Sequence, residues 1–346
     1  MSRFGWTSAR TISEAASAVS ITVADAMSAA MSAAQNTANE RAISVVKAGG
    51  IDLLDLLKEN LLAPTRLVNL RDIPELTTLA EEAGNLRIGS MVTLAHLAAD
   101  PIVQKRYPAL AGALQDSASP QIRNVATLGG NLLQRPRCWY FRAAEYHCLR
   151  KGGGHCFAIS GESQYHAIFD NQSCAIVHPS TAATALVALG ATLELADSEG
   201  ETRNILLEDF FVSPRQDLLR ENDLKPNEIL TAVLLPAPPV GLRMAHLRQG
   251  EKDSFDWPLA DVAVTLNLNG DGTCGSAAIV LGSAAPVPHR AKAAERILTG
   301  RPVDEAAIRE AARAALTGAT PFPKNAYKLP LFETLVRRAI SKAAAP

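Results

Sequence analysis

The sequence predicts an α+β protein of two domains, and three observations carry that reading. Short β-branched runs alternate with helical segments over the first two thirds of the chain; a proline-rich stretch, Pro236-Ala237-Pro238-Pro239, then interrupts it; beyond that, strands come first and helices after. At about 150 residues per domain, 346 residues suit two domains or three. The boundary is placed at the prolines, giving domains of 1–236 and 237–346.

Element by element, alanines and other apolar residues recur at helical spacing through 11–42 (Ala15, Ala18, Val19, Ala24, Met27), which predicts one or two helices. Ile43 to Ala48 reads as a strand, Gly49-Gly50 as a turn and Ile51 to Leu57 as a helix. Further strands are expected at Leu67 to Leu70 and Leu86 to Gly89, with a turn opening at Pro74, and short helices at Val92 to Ala99 and Pro108 to Gln115. Between 176 and 195, Ile176-Val177, Ala185 to Leu189 and Thr192 to Leu195 read as strand, helix and strand. In the second domain, strands are expected at His246 to Arg248, Val262 to Leu268 and Ser276 to Leu281. Asn269-Gly270-Asp271-Gly272 between the last two is a hairpin signal. Helices are expected at 289–299, 303–317 and 329–343.

Composition narrows the function. Lys and Arg number 34 against 35 Asp and Glu, a formal charge of -1, which argues against a nucleic-acid binder. The longest weakly polar stretch, Thr181 to Ala196, is too short and too mixed to span a bilayer. No basic region followed by an apolar run follows Met1, so no secretory signal of the chain's own is expected.

The cysteines depart from the ordinary. Four of five, Cys138, Cys148, Cys156 and Cys174, fall within 37 residues at spacing C-x9-C-x7-C-x17-C, and Cys274 stands apart as an isolated thiol. The segment is polar and glycine-rich, with Arg135, Arg137, Arg142, Arg150, Lys151 and four of the seven histidines, so it does not read as core. Four thiolates on a long loop can hold an iron–sulfur cluster or a zinc ion. Disulfides are disfavoured by the odd count and the missing export signal, and zinc ribbons favour C-x2-C pairs that are absent here. The histidines read as loop residues, since four thiols complete a site.

Two glycine pairs also stand out, each read as a strand–turn–helix: Val46-Lys47-Ala48-Gly49-Gly50-Ile51-Asp52-Leu53 and Arg123-Asn124-Val125-Ala126-Thr127-Leu128-Gly129-Gly130-Asn131-Leu132. Such turns let backbone N–H groups approach a phosphate, with Thr127 and Asn131 as side-chain donors; each pair can equally be a tight turn needing positive φ. Neither matches the Rossmann or P-loop spacing.

Ala48 to Leu54 and Ser119-Pro120-Gln121-Ile122-Arg123-Asn124-Val125-Ala126-Thr127-Leu128-Gly129-Gly130-Asn131-Leu132 resemble the two FAD-binding signatures of the medium subunit of molybdenum hydroxylases, the xanthine dehydrogenase and carbon monoxide dehydrogenase family. Ser254 to Leu259, Gly282-Ser283-Ala284-Ala285-Pro286 and the segment around Tyr327 and Arg337-Arg338-Ala339 resemble that family's C-terminal domain. The resemblance implies a two-subdomain FAD-binding domain of the PCMH (vanillyl-alcohol oxidase-like) type, followed by a smaller α+β domain of the CO dehydrogenase flavoprotein type. Arg137 to Arg142, Gly154-His155-Cys156 and Cys174 to Ser180 resemble the insertion, here 135–178, of the flavin subunits of periplasmic aldehyde oxidoreductases. It implies that the four cysteines hold a [4Fe–4S] cluster.

Carried over, the resemblance implies that Val46, Lys47, Ala48, Gly49, Gly50, Ile51, Asp52 and Leu53 wrap the FAD pyrophosphate, and that Thr127, Leu128, Gly129, Gly130 and Asn131 hold it from the other side. Ser119 and Leu230 would join the cofactor set. Thr181 stands where the family usually has an Asp, and Arg248 where many members have a Lys near the isoalloxazine. The implied role is electron transfer: a large molybdenum-cofactor subunit oxidises an aldehyde, and [2Fe–2S] clusters of a small subunit pass electrons to FAD here and on to an external acceptor. Periplasmic export with a signal-bearing partner is expected by the same analogy, with a cytoplasmic location as the alternative. Two rival readings are a self-contained FAD-dependent reductase and a non-catalytic scaffold with a structural zinc.

Overall fold

A computed structural model describes residues 3–19, 21–33 and 43–345. The helical reading of 11–42 gives two helices, Ile12–Ala18 and Val23–Ala33; its remainder, 34–42, lies outside the described residues. Thr11 starts the first, its hydroxyl oxygen accepting from the Glu14 N–H.

Three sheets follow. β1 (Gly5–Ser8), β2 (Ser44–Lys47) and β3 (Arg66–Asn69) form a parallel sheet in the order β1-β3-β2. β4 (Leu79–Glu82), β5 (Asn85–Gly89), β6 (Thr192–Ala196), β7 (Thr202–Leu206) and β8 (Ile229–Leu235) form an antiparallel sheet in the order β4-β5-β8-β6-β7. Its central strand, β8, is almost wholly buried and comes from residues far along the chain from β5. β9 (Leu242–Gln249), β10 (Ala260–Leu268), β11 (Cys274–Gly282) and β12 (His289–Arg290) form the third sheet, ordered β12-β11-β10-β9 and antiparallel.

The third sheet is covered on both faces, which is why β10 reads as a continuous apolar run rather than an alternating one. Val262, Val264 and Leu266 pack with Ile279 and Leu281 against the helices Lys292–Leu298, Glu305–Ala314 and Lys328–Ala344. Ala263 and Val280 point the other way, into the core built on β5, β6 and β8. The helix Thr181–Ala188 lies between the two sheets with every side chain buried, and its small residues permit close approach on all sides.

The structure departs from the sequence reading in places. Ile176-Val177 is not a strand, His289-Arg290 is β12 with its helix beginning only at Lys292, and Gly129-Gly130 lies inside a short helix, Leu128–Leu132. The helix Pro101–Arg106 is an addition, started by Asp100, whose carboxylate accepts from the Ile102 and Val103 N–H groups. Arg337 and Arg338 are on the exposed face of their helix. Among the described residues no helix is long and apolar enough to cross a membrane.

Candidate functional site

The two glycine segments meet at one groove. Gly50, at φ +90°, caps the helix Ile51–Lys58, a backbone state that glycine adopts without strain. Gly49 packs directly on the second segment: a Cβ there would stand 2.3 Å from the Val125 carbonyl oxygen. Thr127 caps the helix Leu128–Leu132, its Oγ1 accepting from the Gly130 N–H at 3.1 Å. That cap is why the second glycine pair starts a helix instead of making a turn. Gly129 is needed for packing, since a Cβ would come within 2.9 Å of the Ser90 Cβ. Ser180 donates to Asn131 Oδ1 at 2.5 Å and thereby leaves the Asn131 amide N–H groups to face the groove.

The groove holds about 540 Å³, within the range of small-molecule sites. Of the expected cofactor residues, all but three line it. Lys47 turns away to Asn69 and to the face of Trp6, because successive side chains of β2 alternate and Val46 and Ala48 take the groove side. Ser119 is spent capping the helix Pro120–Arg123, accepting from Ile122 N–H. Leu128 is in the core. Thr181 and Leu230 close one side of the groove. Arg248, on β9, donates to the carbonyl oxygens of Asp116, Ser254 (3.0 Å) and Asp256 (3.1 Å), tying the segment around Phe255 and Trp257 to the groove's edge.

Sequence reading missed the charged wall between this groove and the cysteine segment. Arg142 donates to Asp52 at 2.6 Å and to Asp55 at 3.1 Å; Arg137 grips the same two carboxylates at 3.0 and 2.8 Å and stacks over Trp257 at 4.8 Å. The Arg135 backbone N–H also donates to Asp52. Behind them, Glu221 Oε1 accepts from both Arg135 (2.9 Å) and Arg150 (2.5 Å), all three side chains being buried. Burial lowers the Arg135 pKa, and Glu221 opposes the shift. The partners are some 70 to 90 positions apart, so no local signal announces them.

All four cysteines of the segment line one small cavity, shared with Arg150, His166 and a wall of Tyr140, Phe141 and Phe157. None is in a disulfide. Burial pushes the Cys138 thiol up to about 12 and raises Cys148 as well. Cys156 and Cys174 share a hydrogen bond that lowers the first and raises the second. His166 Nε2 lies 3.2 Å from Cys138 Sγ, and burial lowers the imidazole to about 4, so the ring is neutral. Among the described residues no three His, Cys, Asp or Glu side chains gather as ligands of a single ion. Cys274 is buried elsewhere, in β11, with its thiol donating to the Ser276 carbonyl.

Comparison with known proteins decides the family. Residues 2–238 match the FAD binding domain in molybdopterin dehydrogenase, and residues 245–343 match the CO dehydrogenase flavoprotein C-terminal domain. The chain belongs to the FAD-binding subunits of the molybdenum hydroxylases. It is 34% identical over 323 residues to the aldehyde oxidoreductase FAD-binding subunit PaoB of Escherichia coli K12, a match covering 90% of this chain and 96% of that one. It is 28% identical to the carbon monoxide dehydrogenase medium chain of Afipia carboxidovorans, over 86% of this chain and 88% of the relative. Among solved structures, quinoline 2-oxidoreductase from Pseudomonas putida 86 superposes with a TM-score of 0.72 at 26% identity, covering 99% and 97% of the two chains.

As a molybdenum hydroxylase FAD subunit, the chain presents a groove that fits its cofactor. The N–H groups of Ile51, Asp52 and Leu53 open the helix at Gly50 and have no acceptor within it, a setting for phosphate. The Asn131 amide and the Thr127 and Thr181 hydroxyls add donors. Asp52, inside the first signature, is neutralised by Arg137 and Arg142, which removes a repulsion that a pyrophosphate would otherwise meet. The cysteine cavity offers four thiols outside any disulfide and one buried cation, Arg150, a donor set suited to an anionic thiolate-bound centre.

Proposed function

We propose that this chain is the electron-transfer flavoprotein subunit of a molybdenum-containing aldehyde oxidoreductase, working between [2Fe–2S] clusters of a small partner and an external acceptor, with aldehyde oxidised in a large molybdenum-cofactor partner. Its cysteine segment carries a [4Fe–4S] cluster on Cys138, Cys148, Cys156 and Cys174. The observation that carries the reading is the convergence of four unpaired cysteines on a cavity whose wall is bolted to the flavin groove by Arg135, Arg137 and Arg142. When bound, FAD supplies the exchange between one- and two-electron transfer. The chain's own residues position it: backbone N–H groups and small residues take the pyrophosphate, and Arg248 places a fixed positive charge at the groove's edge.

Two features support this over its rivals. The match of 245–343 to the CO dehydrogenase flavoprotein C-terminal domain favours a subunit over a self-contained reductase. The four thiols line one cavity and none is in a disulfide, and the C-x2-C pairs that zinc ribbons favour are absent, which favours a cluster over zinc. The test is anaerobic mixing with an aldehyde. The flavin of the isolated chain is expected to keep its absorbance, while the complex co-purified through a tag on this chain bleaches. Bleaching of the isolated chain, or a tag that retrieves no molybdenum-containing partner, would contradict the proposal.

A further inference from the structure

Among the described residues Arg150 is the largest fully buried side chain, and its bonds are unevenly used. Nη1 donates to Glu221 Oε1 at 2.5 Å and to the Arg220 carbonyl at 3.3 Å, whereas Nε and Nη2 are buried with no oxygen or nitrogen acceptor and the guanidinium meets only the sulfur of Cys174 on that side. A buried guanidinium N–H is costly to leave without a good acceptor, and a thiol sulfur is a weak one. The side chain lines the four-cysteine cavity and lies against Cys174, whose thiolate its charge favours. Other groups around the cavity do not offer the same. Lys151 is committed to the Ala143 carbonyl at 2.6 Å while its charge faces Cys148 and Cys138, and His166 is beside Cys138.

We propose that Arg150 is a positioning residue for the iron–sulfur centre, supplying its two spare N–H groups to sulfur there while Glu221 fixes its orientation and offsets part of its charge. The inference rests on the cluster reading above. Hydrogen bonds to sulfur and local charge are the protein's levers on such a potential. A cation beside an anionic centre favours the reduced, more negative state, so Arg150 raises the midpoint and Glu221 lowers it. Glu221 is also bonded to Arg135 at 2.9 Å, and both line the flavin groove, so the group that restrains Arg150 is part of the groove's own wall.

The test is a potentiometric EPR titration of the centre in the full chain, comparing wild type with Arg150→Met, Arg150→Lys and Glu221→Gln, with iron and FAD content measured on each. Arg150→Met is expected to make one-electron reduction at least tenfold less favourable, a downward shift of about 59 mV or more. Arg150→Lys keeps the charge but loses the fork and is expected to fall by less. Glu221→Gln is expected to shift the midpoint upward. Opposite signs for the two residues are what a purely structural role would not produce. If Arg150→Met does not fold, the same opposition is read from the lysine variant, below wild type, and Glu221→Gln, above it. Iron present with unmoved potentials, or with both residues shifting one way, overturns the role of Arg150 alone. Wild-type protein without iron overturns the cluster reading and this inference with it.

Discussion

The α-carbon of Gly49 faces the carbonyl oxygen of Val125 so closely that a Cβ would come within 2.3 Å of it. This contact locks the two glycine signatures into one groove, although more than seventy residues separate them. A backbone oxygen cannot swing aside as a side chain does, so the site tolerates only glycine.

Gly49→Ala is therefore expected to destabilise the protein by about 1–3 kcal/mol and to lose bound flavin, because the groove must open to admit the methyl group. Gly50→Ala carries the strain of its positive φ, about 1–2 kcal/mol, and otherwise crowds only the flexible Lys47 side chain at 3.2 Å, so it is expected to keep more flavin. Thermal melts and the ratio of flavin to protein absorbance check both. Equal flavin content in Gly49→Ala and wild type would contradict the contact's role.

The arginine clamp gives a second expectation. Arg142→Ala removes charge-assisted bonds to Asp52 and Asp55 while Arg137 still holds both carboxylates, so a loss of roughly 1.5–3 kcal/mol is expected in urea unfolding. Removing Arg137 as well leaves Asp55 without a cation and Asp52 with only the Arg135 backbone N–H, and the double variant is expected to cost more than the two singles summed. Strict additivity would mean that the arginines do not share the aspartates.

Asp261 predicts a pH dependence. It is fully buried at the start of β10, facing His246 and Arg248 on β9, Thr184 on the helix Thr181–Ala188, and Gly282 on β11. Burial pushes its carboxyl up to about 6. The folded state thus holds a proton that the unfolded chain releases near 3.8, and the stability this contributes is complete below about pH 3.8 and lost as pH rises through about 6. Two pKa units correspond to about 3 kcal/mol, an order-of-magnitude figure. Asp261→Asn is expected to flatten the stability profile between pH 4 and 6 and to stabilise the protein above it. Urea midpoints across that window decide, and an unchanged slope would contradict the assignment.

Much of the fold was legible because it rests on local signals. β2, the glycine cap, the helix Ile51–Lys58, the Asn269 to Gly272 hairpin and the three C-terminal helices all follow from propensity and turn chemistry. β8 was not, because a strand buried on both faces has no alternation to betray it, and unlike the equally buried β10 it has no hairpin turn beside it to mark it. At the site, the residues that miss the groove do so for local reasons: Lys47 by strand alternation, Ser119 by capping, Leu128 by the turn of its helix. The contacts that join the cysteine segment to the groove were invisible, since Arg142 meets Asp52 ninety positions away and only the folded chain brings them together.

The most direct test of the account is the iron, zinc and flavin content of the purified protein, with EPR after reduction, on wild type and on Cys156→Ser. Four irons and one FAD per chain, with the cluster signal lost in the variant and flavin retained, is the predicted result. Zinc in place of iron, or flavin with no metal at all in the wild type, would contradict the claim that this FAD subunit carries a second redox centre.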